Sequence, residues 1–311
     1  MMLSSCVHEH LDDGDGTDPT DIEATIKLQT VPGLTRAAYS PGKGLAYVCF
    51  IVQIFKDEIK GAPVYTKRIG VAKGDGGEAQ TELKVPLHSG KYKVVAWAMG
   101  TSSPDSPGTG FNADDLSAIT FPGAYEGSTE NKECYEARFD MDLSDMGWYG
   151  KKVFTQQLTP PMGGVEVIST DAEMFLAQVA SRAGSDDFSS YSIRWDYGLY
   201  FPMGYNAYTG MPNKAETGVG FLSAITRKNA EEASLGFDYI FVNGSKTQVT
   251  LSLSVVENKT GNVISTYGGI PVPLERGKIT IIRGKFLTTN HDSGIGINPD
   301  FDGEINVVLP D

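Results

Sequence analysis

The chain has 311 residues, of which 40% are hydrophobic, and its 39 acidic against 26 basic side chains give a formal net charge of −13. This length suits two domains with a core each better than one ordinary β-domain. The acidic balance argues against nucleic acid or an anionic membrane surface as the main partner, and no apolar run approaches the ~18 residues of a bilayer-spanning segment.

The first residues carry a lipidation signature. Residues 3–6 read Leu-Ser-Ser-Cys, and a polar run rich in Asp, Gly and Thr follows to Asp21. This arrangement is typical of a bacterial lipoprotein with Cys6 as the lipidated residue. A signal peptide needs a basic and an apolar segment, so we expect the precursor to begin upstream of Met1. Residues 1–21 are therefore interpreted as a signal remnant and a disordered tether.

The clearest half-buried strand begins at Ile22. Apolar and polar residues alternate as far as Val31, and this period of two predicts a strand with one buried face. Arg36 lies in the loop that follows. The next apolar run, residues 45–55, is apolar on both faces and is expected at the centre of a sheet. The predicted buried face of the first strand carries Ile22, Ala24, Ile26 and Leu28.

Two stretches of similar layout suggest two related modules. Residues 85–97 and 272–283 each contain Val-Pro-Leu, two polar residues, a Gly-Lys turn and a strand-like run. Short strands separated by Gly turns predict an all-β sandwich in each half. A joint rich in Pro and Gly near residues 153–161 separates a first sandwich, residues 22–156, from a second, residues 157–311.

A short helix is predicted at the start of the second sandwich. Residues 170–173 read Thr-Asp-Ala-Glu, a capping box that opens a helix to about Arg182. Phe175 and Val179 share one face of this helix. The chain ends in a predicted strand with Ile305, Val307 and Leu309 on one face.

Aromatic residues are dense between residues 188 and 221. Tyr191, Ile193 and Trp195 alternate, which is typical of side chains that line a sheet. Tyr205 and Tyr208 stand among Gly and Asn and are the better candidates for a ligand-facing surface. They give a hypothesis of a different class, a surface lipoprotein that binds glycans.

No constellation for catalysis, metal binding or a cofactor stands out. His8 and His10 lack the helical spacing of a zinc site. Residues 298–309 resemble a calcium loop, but Leu309 stands where that loop needs a bidentate Glu. Cys49 lies in an apolar strand and suits a core, and a disulfide with Cys134 stays open although the spacing does not support it. We predict a protein that is not an enzyme and binds no metal or cofactor.

Several of these motifs together resemble the fimbrillin superfamily, the subunits, anchors and accessory proteins of Bacteroidales type V pili. The motifs are the lipobox, the Leu-Thr-Arg loop after the first strand, the Gly-Lys-Tyr strand, and residues 158–162, 200–206 and 294–303. The resemblance implies two tandem transthyretin-like β-sandwich domains and export as a lipoprotein held in the outer membrane by the lipid on Cys6. It also implies a place in a surface fimbrium, with other pilus subunits and a host or bacterial surface ligand as partners.

The resemblance also suggests how such a subunit assembles. In pilus-forming members an arginine-specific protease cuts after the first strand, and a strand from a neighbouring subunit fills the vacated groove. Arg36 lies where that cut would fall, and the terminal strand could act as donor. Two alternatives remain: Arg36 is an ordinary solvated loop residue, or the protein is an anchor that keeps its lipid and is not cut.

Overall fold

The computed structural model describes residues 21–30, 45–106, 108, 110–146, 149–183, 187–288, 301–302 and 304–308. Strands dominate these residues, which confirms the all-β prediction. The single α-helix among them, α1, spans Ala172–Ala183, close to the predicted range, and a 3₁₀ turn spans Glu130–Lys132. The strands are β1 Asp21–Thr30, β2 Tyr47–Lys56, β3 Tyr65–Ala72, β4 Gln80–Leu87, β5 Lys91–Thr101, β6 Ile119–Thr120, β7 Cys134–Asp142, β8 Tyr149–Leu158, β9 Met162–Ser169, β10 Tyr191–Gly198, β11 Phe201–Asn206, β12 Met211–Glu216, β13 Gly220–Ala224, β14 Thr226–Arg227, β15 Ala233–Phe241, β16 Lys246–Glu257, β17 Val263–Glu275, β18 Ile279–Gly284, β19 Phe301–Asp302 and β20 Glu304–Val308.

The described residues form two compact units. Unit 1 contains the chain up to residue 119, residues 130–160 and residues 206–210, and unit 2 contains the remainder. The division at residues 160 and 161 lies a few residues beyond the predicted boundary, because β8 continues to Leu158. Each unit also contains a short segment from the middle of the other sequence half, which the sequence analysis did not predict.

Unit 1 consists of two sheets around one core. One sheet has the strand order β4-β1-β8 and the other has the order β3-β2-β5-β7. Ile26, Phe50 and Val94 come from both sheets, are fully buried and belong to the same apolar cluster. The second sheet places β2 between two neighbours, which confirms the prediction of a central strand.

Unit 2 repeats this strand order with additions. Its sheets have the orders β14-β15-β9-β18-β20-β19 and β13-β10-β16-β17, and β11 pairs with β12. The helix α1 contributes Phe175 and Val179 to the core of this unit, on the predicted face. Trp195, from the alternating aromatic run, is fully buried in the same core.

The two units correspond strand by strand, but not in the way that the sequence repeat suggested. β9 lies between antiparallel β15 and parallel β18, as β1 lies between antiparallel β4 and parallel β8. Residues 85–97 join β4 to β5, whereas residues 272–283 join β17 to β18, which match β7 and β8. The matched stretches are therefore not equivalent: each contains a Gly-Lys turn where the chain passes from one sheet to the other, but between different pairs of strands.

The predicted capping box is wrong in its details. The helix begins at Ala172, so Asp171 rather than Thr170 precedes its first residue. The Asp171 carboxylate accepts hydrogen bonds from the Thr288 amide at 2.8 Å and the Thr288 hydroxyl at 2.7 Å. It also accepts a short bond from Ser169. Asp171 therefore fastens the end of β9 and the start of α1 to the segment after β18, a contact far away in sequence.

Candidate functional site: the first strand

β1 lies inside its sheet and not at an edge. Residues 22–29 pair antiparallel with β4, with Ile26 opposite Leu83, and residues 21–30 pair parallel with β8, with Ile26 opposite Phe154. A strand in this position has neighbours on both sides, so its backbone groups are satisfied by both ladders. Withdrawing β1 would leave two unpaired strand edges facing each other across a gap one strand wide.

The core-facing side of β1 is closed to solvent, which confirms the predicted alternation. Ile22, Ala24 and Ile26 have no exposed surface and Leu28 is 1% exposed. They pack in the cluster that joins both sheets of unit 1. Burial of the three large aliphatic side chains contributes roughly 1.5–3 kcal/mol each, a sum comparable to the ~5–15 kcal/mol net stability of a whole domain.

The opposite face of β1 is polar. Lys27 and Glu82 on β4 approach to 3.4 Å, and Glu23 and Lys151 on β8 approach to 3.3 Å. All four side chains are substantially exposed, and solvent-screened pairs of this kind contribute little to stability. The attachment of β1 therefore depends on its apolar face and its backbone ladders.

Thr30 fastens the end of β1. Its amide donates to the Ala79 carbonyl at 3.0 Å, and its hydroxyl accepts from the Ala79 amide at 2.9 Å. The Thr30 side chain is fully buried. Because this reciprocal pair lies where the strand leaves the sheet, it fixes the register of the last residue of β1 beside the start of β4.

The remaining residues of the strand-exchange hypothesis fall partly outside the described chain. Cys6, Arg36 and Leu309 lie outside the described residues. Ile305 and Val307 lie in β20, which runs parallel to β18 and places them opposite Thr280 and Ile282. The described residues thus place the proposed donor strand in a sheet of unit 2 and the proposed groove strand in a sheet of unit 1.

The prediction that Tyr205 faces a ligand is wrong. Its ring is fully buried, stacks on Phe241 at a centroid distance of 4.9 Å and lies beneath the Arg276 guanidinium. Tyr208 is half-buried: its hydroxyl donates to the Gln53 Oε1 atom at 2.8 Å and its ring packs edge-on against Phe55. Burial also raises the pKa of Tyr208 above its usual value. Both partners of Tyr205 are distant in sequence, Phe241 at the end of β15 and Arg276 in the turn after β17, which local composition cannot indicate.

The exposed aromatic residue of this region is Tyr200, whereas the sequence favoured Tyr205 and Tyr208 over it. It is 77% exposed, and the preceding Leu199 is 78% exposed. The signal was present in the pattern, because the alternation ends at Tyr197 and Gly198 is the last residue of β10, so Leu199 and Tyr200 lie between β10 and β11. Residues directly after such a break lie at the turn rather than on the sheet.

A buried polar cluster in unit 2 is structural. The Tyr125 and Tyr197 hydroxyls donate to the same Asp238 oxygen, at 2.6 and 2.7 Å, and the other oxygen accepts from the Tyr239 amide. Burial, followed by the nearby Asp238 charge, raises the pKa of Tyr125 and Tyr197 well above the usual phenol value. Because its acceptors are already engaged and Asp238 is buried, this cluster is suited to holding residues 120–129 within unit 2.

Residues 120–129 pack closely along unit 2. Phe121 stacks on Phe241 at 5.4 Å, and the Ser128 amide donates to the Phe237 carbonyl at 2.8 Å. The Phe221 ring lies so close to Gly127 that an added Cβ would come within 2.1 Å of it. A side chain at this position would force the segment away from the sheet.

Both described cysteines are buried and free. The Cys49 Sγ atom accepts a hydrogen bond from the Arg68 Nε–H at 3.2 Å, and burial nevertheless raises the pKa of this thiol. Burial, with the Glu136 and Glu133 carboxylates adding to it, raises the pKa of Cys134 well above the usual value. A Cys49–Cys134 disulfide is therefore not formed, and both thiols stay protonated core groups at neutral pH.

The described residues offer neither a ready metal site nor a helix that could span a membrane. No cluster of three or more His, Cys, Asp or Glu side chains in these ranges is arranged to hold a metal ion. The described part of the chain also contains no helix with the length and apolar character needed to cross a bilayer.

Comparisons with solved structures find similar proteins at low identity. A fimbrial assembly protein from Parabacteroides distasonis is 12% identical with a TM-score of 0.43, and covers 85% of this chain and 92% of its own. The fimbrial anchor protein Mfa2 from Porphyromonas gingivalis is 13% identical with a TM-score of 0.40, at 79% and 82% coverage. A Bacteroides ovatus protein described as an adhesin is 12% identical with a TM-score of 0.43, at 80% and 76% coverage.

These proteins are of the kind that the sequence resemblance named. Among curated protein sequences, no relative matches the chain. A family profile matches residues 15–310, which is nearly the whole length. The chain therefore belongs to the family of unknown function DUF6562.

Proposed function

We propose that this protein is a structural component of a bacterial surface fimbrium, either as a subunit, an anchor or a tip adhesin. In this proposal it is exported as a lipoprotein through Cys6, is held at the outer membrane and acts without catalysis. The observation that carries the proposal is the placement of β1: the first described strand completes both a sheet and a core from between two neighbours.

The physical argument concerns what a cut at Arg36 would change. After cleavage, β1 would be held by non-covalent contacts alone, so the free energy of its burial would set how often it leaves. Four buried side chains would then face solvent and the edges of β4 and β8 would be unpaired. By β-augmentation, a donor strand with alternating apolar residues would refill the apolar groove and pair again with β4 and β8. The sequence around Ile305, Val307 and Leu309 in the terminal strand has that alternation.

The anchor version of the proposal follows from the same geometry. Cleavage at Arg36 would separate Cys6 from the folded units, because Cys6 precedes β1 and Arg36 follows it. A protein that keeps its lipid must therefore keep its own β1. Assembly as a shaft subunit and retention of the lipid on the same molecule exclude each other.

The test is limited digestion of the full-length protein by an arginine-specific protease. If the protein is a shaft subunit, the new N-terminus begins at Ala37 and polymers appear by size-exclusion chromatography with light scattering. The matched control is Arg36→Lys, which keeps the charge and removes the recognition site, and it should stay uncut and monomeric. A synthetic peptide of residues 21–31, added in excess, should slow polymer growth by refilling the groove.

The results separate the versions of the proposal. Cleavage only at other arginines, or resistance without polymers, would exclude the shaft subunit and leave the anchor or accessory protein. Strand exchange at the β1 position would be contradicted if Arg36→Lys formed polymers equally well. It would also be contradicted if the peptide did not slow polymer growth.

A further inference from the structure

A groove on unit 2 lies between the start of β11 and β12 on one side and the turn from β15 to β16 on the other. It has a volume of about 360 Å³, which lies within the ~300–1,000 Å³ range of small-molecule sites. Phe241 and Val249 form an apolar floor, and both are buried. All of the lining residues belong to unit 2.

The rim of the groove is polar and carries no net charge. Asn213, Asn243, Thr247 and Gln248 supply amide and hydroxyl groups. The one charged lining residue, Lys214, forms an ion pair with Glu216 at 2.6 Å, so its charge is compensated. Groups of this kind donate and accept hydrogen bonds equally well, which suits hydroxyl groups better than phosphate, sulfate or carboxylate.

An exposed aromatic ring completes the groove. Tyr200 lines it and is 77% exposed. A tyrosine combines a flat apolar face with a hydroxyl that can hydrogen-bond, and such a residue in open solvent beside a groove indicates a contact surface.

The backbone conformation of Leu199, next to Tyr200, also indicates a contact surface. Leu199 has φ +61°, in the left-handed region where a residue with a Cβ is disfavoured. Asn or Gly would adopt this conformation at lower cost. The turn from β10 to β11 therefore holds a large apolar residue in an unfavourable conformation immediately before an exposed tyrosine, an arrangement that stability alone does not favour.

We infer that this groove binds an uncharged saccharide, with Tyr200 as the stacking surface for one sugar ring and Asn243 and Gln248 as hydrogen-bond partners of its hydroxyl groups. A pyranose ring presents an apolar C–H face and a rim of hydroxyls, which matches the apolar floor, the exposed ring and the amide rim. Compensation of Lys214 by Glu216 argues for neutral over anionic sugars. The inference concerns a site in unit 2 and stands whether or not β1 is exchanged.

The test uses the full chain and neutral hexasaccharides as probes. Maltohexaose, xylohexaose, laminarihexaose and mannohexaose are titrated in saturation-transfer difference NMR and then in calorimetry, beside a sulfated hexasaccharide and a neutral hexapeptide. At least one neutral hexasaccharide should bind more tightly than the sulfated hexasaccharide and the hexapeptide. Tyr200→Ala should weaken that binding by about tenfold or more, and Tyr200→Phe should retain most of it.

Further variants keep the test independent of folding. Gln248→Ala and Asn243→Ala alter exposed amides and should each weaken binding with an unchanged unfolding midpoint. Leu222→Ala is the matched control, because Leu222 is 63% exposed in the same unit and does not line the groove. The inference is overturned if none of the neutral sugars binds, if binding is the same in Tyr200→Ala, or if the sulfated sugar or the peptide binds in their place.

Discussion

β1 and β9 occupy the same position in their units but are attached in different ways. Each lies between one antiparallel and one parallel neighbour. All eight residues of β9 are buried, whereas β1 buries one face and shows Lys27 and Gln29 to solvent. The chain joins β9 closely to β8 before it and to α1 after it, and Asp171 fastens the latter end.

The parallel neighbours of these two strands, β8 and β18, also differ in the pairing of their second edge. β18 pairs on its other side with β20, whereas among the described strands β8 has no second partner in its sheet. Val153 lies on the more exposed face of β8 and is 58% exposed. The same topology therefore holds one strand that is buried on both faces, β9, and one that has Lys27 and Gln29 exposed, β1.

The largest effect is expected when a charge is introduced into the core beneath β1 or beneath β9. Ile26→Asp should destabilise unit 1 by more than ~4 kcal/mol, because a carboxylate would enter a fully closed core without a partner. Hydrogen exchange should then lose protection in β4 and β8 and keep it in β15 and β18. Val167→Asp on β9 should give the reverse pattern.

The control is on the same strand. Lys27→Asp places a carboxylate on the exposed face of β1 and should change the free energy of unfolding by less than ~1 kcal/mol. If Ile26→Asp also left β4 and β8 protected, β1 would not be part of the core of unit 1 in solution.

At alkaline pH the two units should lose stability over different pH ranges, an effect of intermediate size. Burial raises the pKa of Tyr125 and Tyr197 in unit 2, so the unfolded state ionises first and releases more protons as the pH rises. Their contribution is complete below the usual phenol pKa and is lost above it, at up to ~1.4 kcal/mol per pH unit for each tyrosine. In unit 1 the loss should begin at lower pH, because the pKa of the Cys134 thiol is raised from a lower usual value.

Urea unfolding followed from neutral to strongly alkaline pH measures this difference. Tyr197→Phe should flatten the later loss of stability and leave the earlier loss unchanged. A profile that remains as steep in Tyr197→Phe as in the natural protein would show that the phenols of the Asp238 cluster do not cause it.

The smallest of the three effects compares the last residues of the two strands. Thr30 and Ser169 are both fully buried hydroxyl residues. Thr30→Val should cost about 1–2 kcal/mol, because the Ala79 amide would lose its acceptor. Ser169→Ala should cost somewhat more, since the Ser169 hydroxyl also donates to Asp171 and accepts from the Phe286 amide at 3.0 Å. Equal costs, measured by urea unfolding, would mean that Asp171 adds nothing to the attachment of β9.

The sequence indicated those parts of the fold that depend on local periodicity. The period of two in β1, the continuous apolar run of β2 and the alternation from Tyr191 to Trp195 all reflect burial that is decided within one strand. The helix α1 likewise has its apolar face at regular spacing. These features need no knowledge of which strands are neighbours.

Features decided by distant partners could not be predicted in this way. Tyr205 is buried because Phe241 and Arg276 cover it, and the Asp171 carboxylate accepts hydrogen bonds from Thr288. Residues 120–129 and 206–210 each belong to the unit that their neighbours in sequence do not. The groove at Tyr200 could be anticipated only in part, since its floor comes from β15 and β16.

The position of β1 between two ladders has a consequence for the polarity and the length of the proposed assembly. In the proposed assembly, the vacated place and the strand that fills it would be different surfaces, so the contact would be head-to-tail and the row of subunits would have two unlike ends. A copy that kept its own first strand would offer no vacancy. It would join such a row only as the last member, so retention of the ten residues of β1 would be sufficient to stop growth.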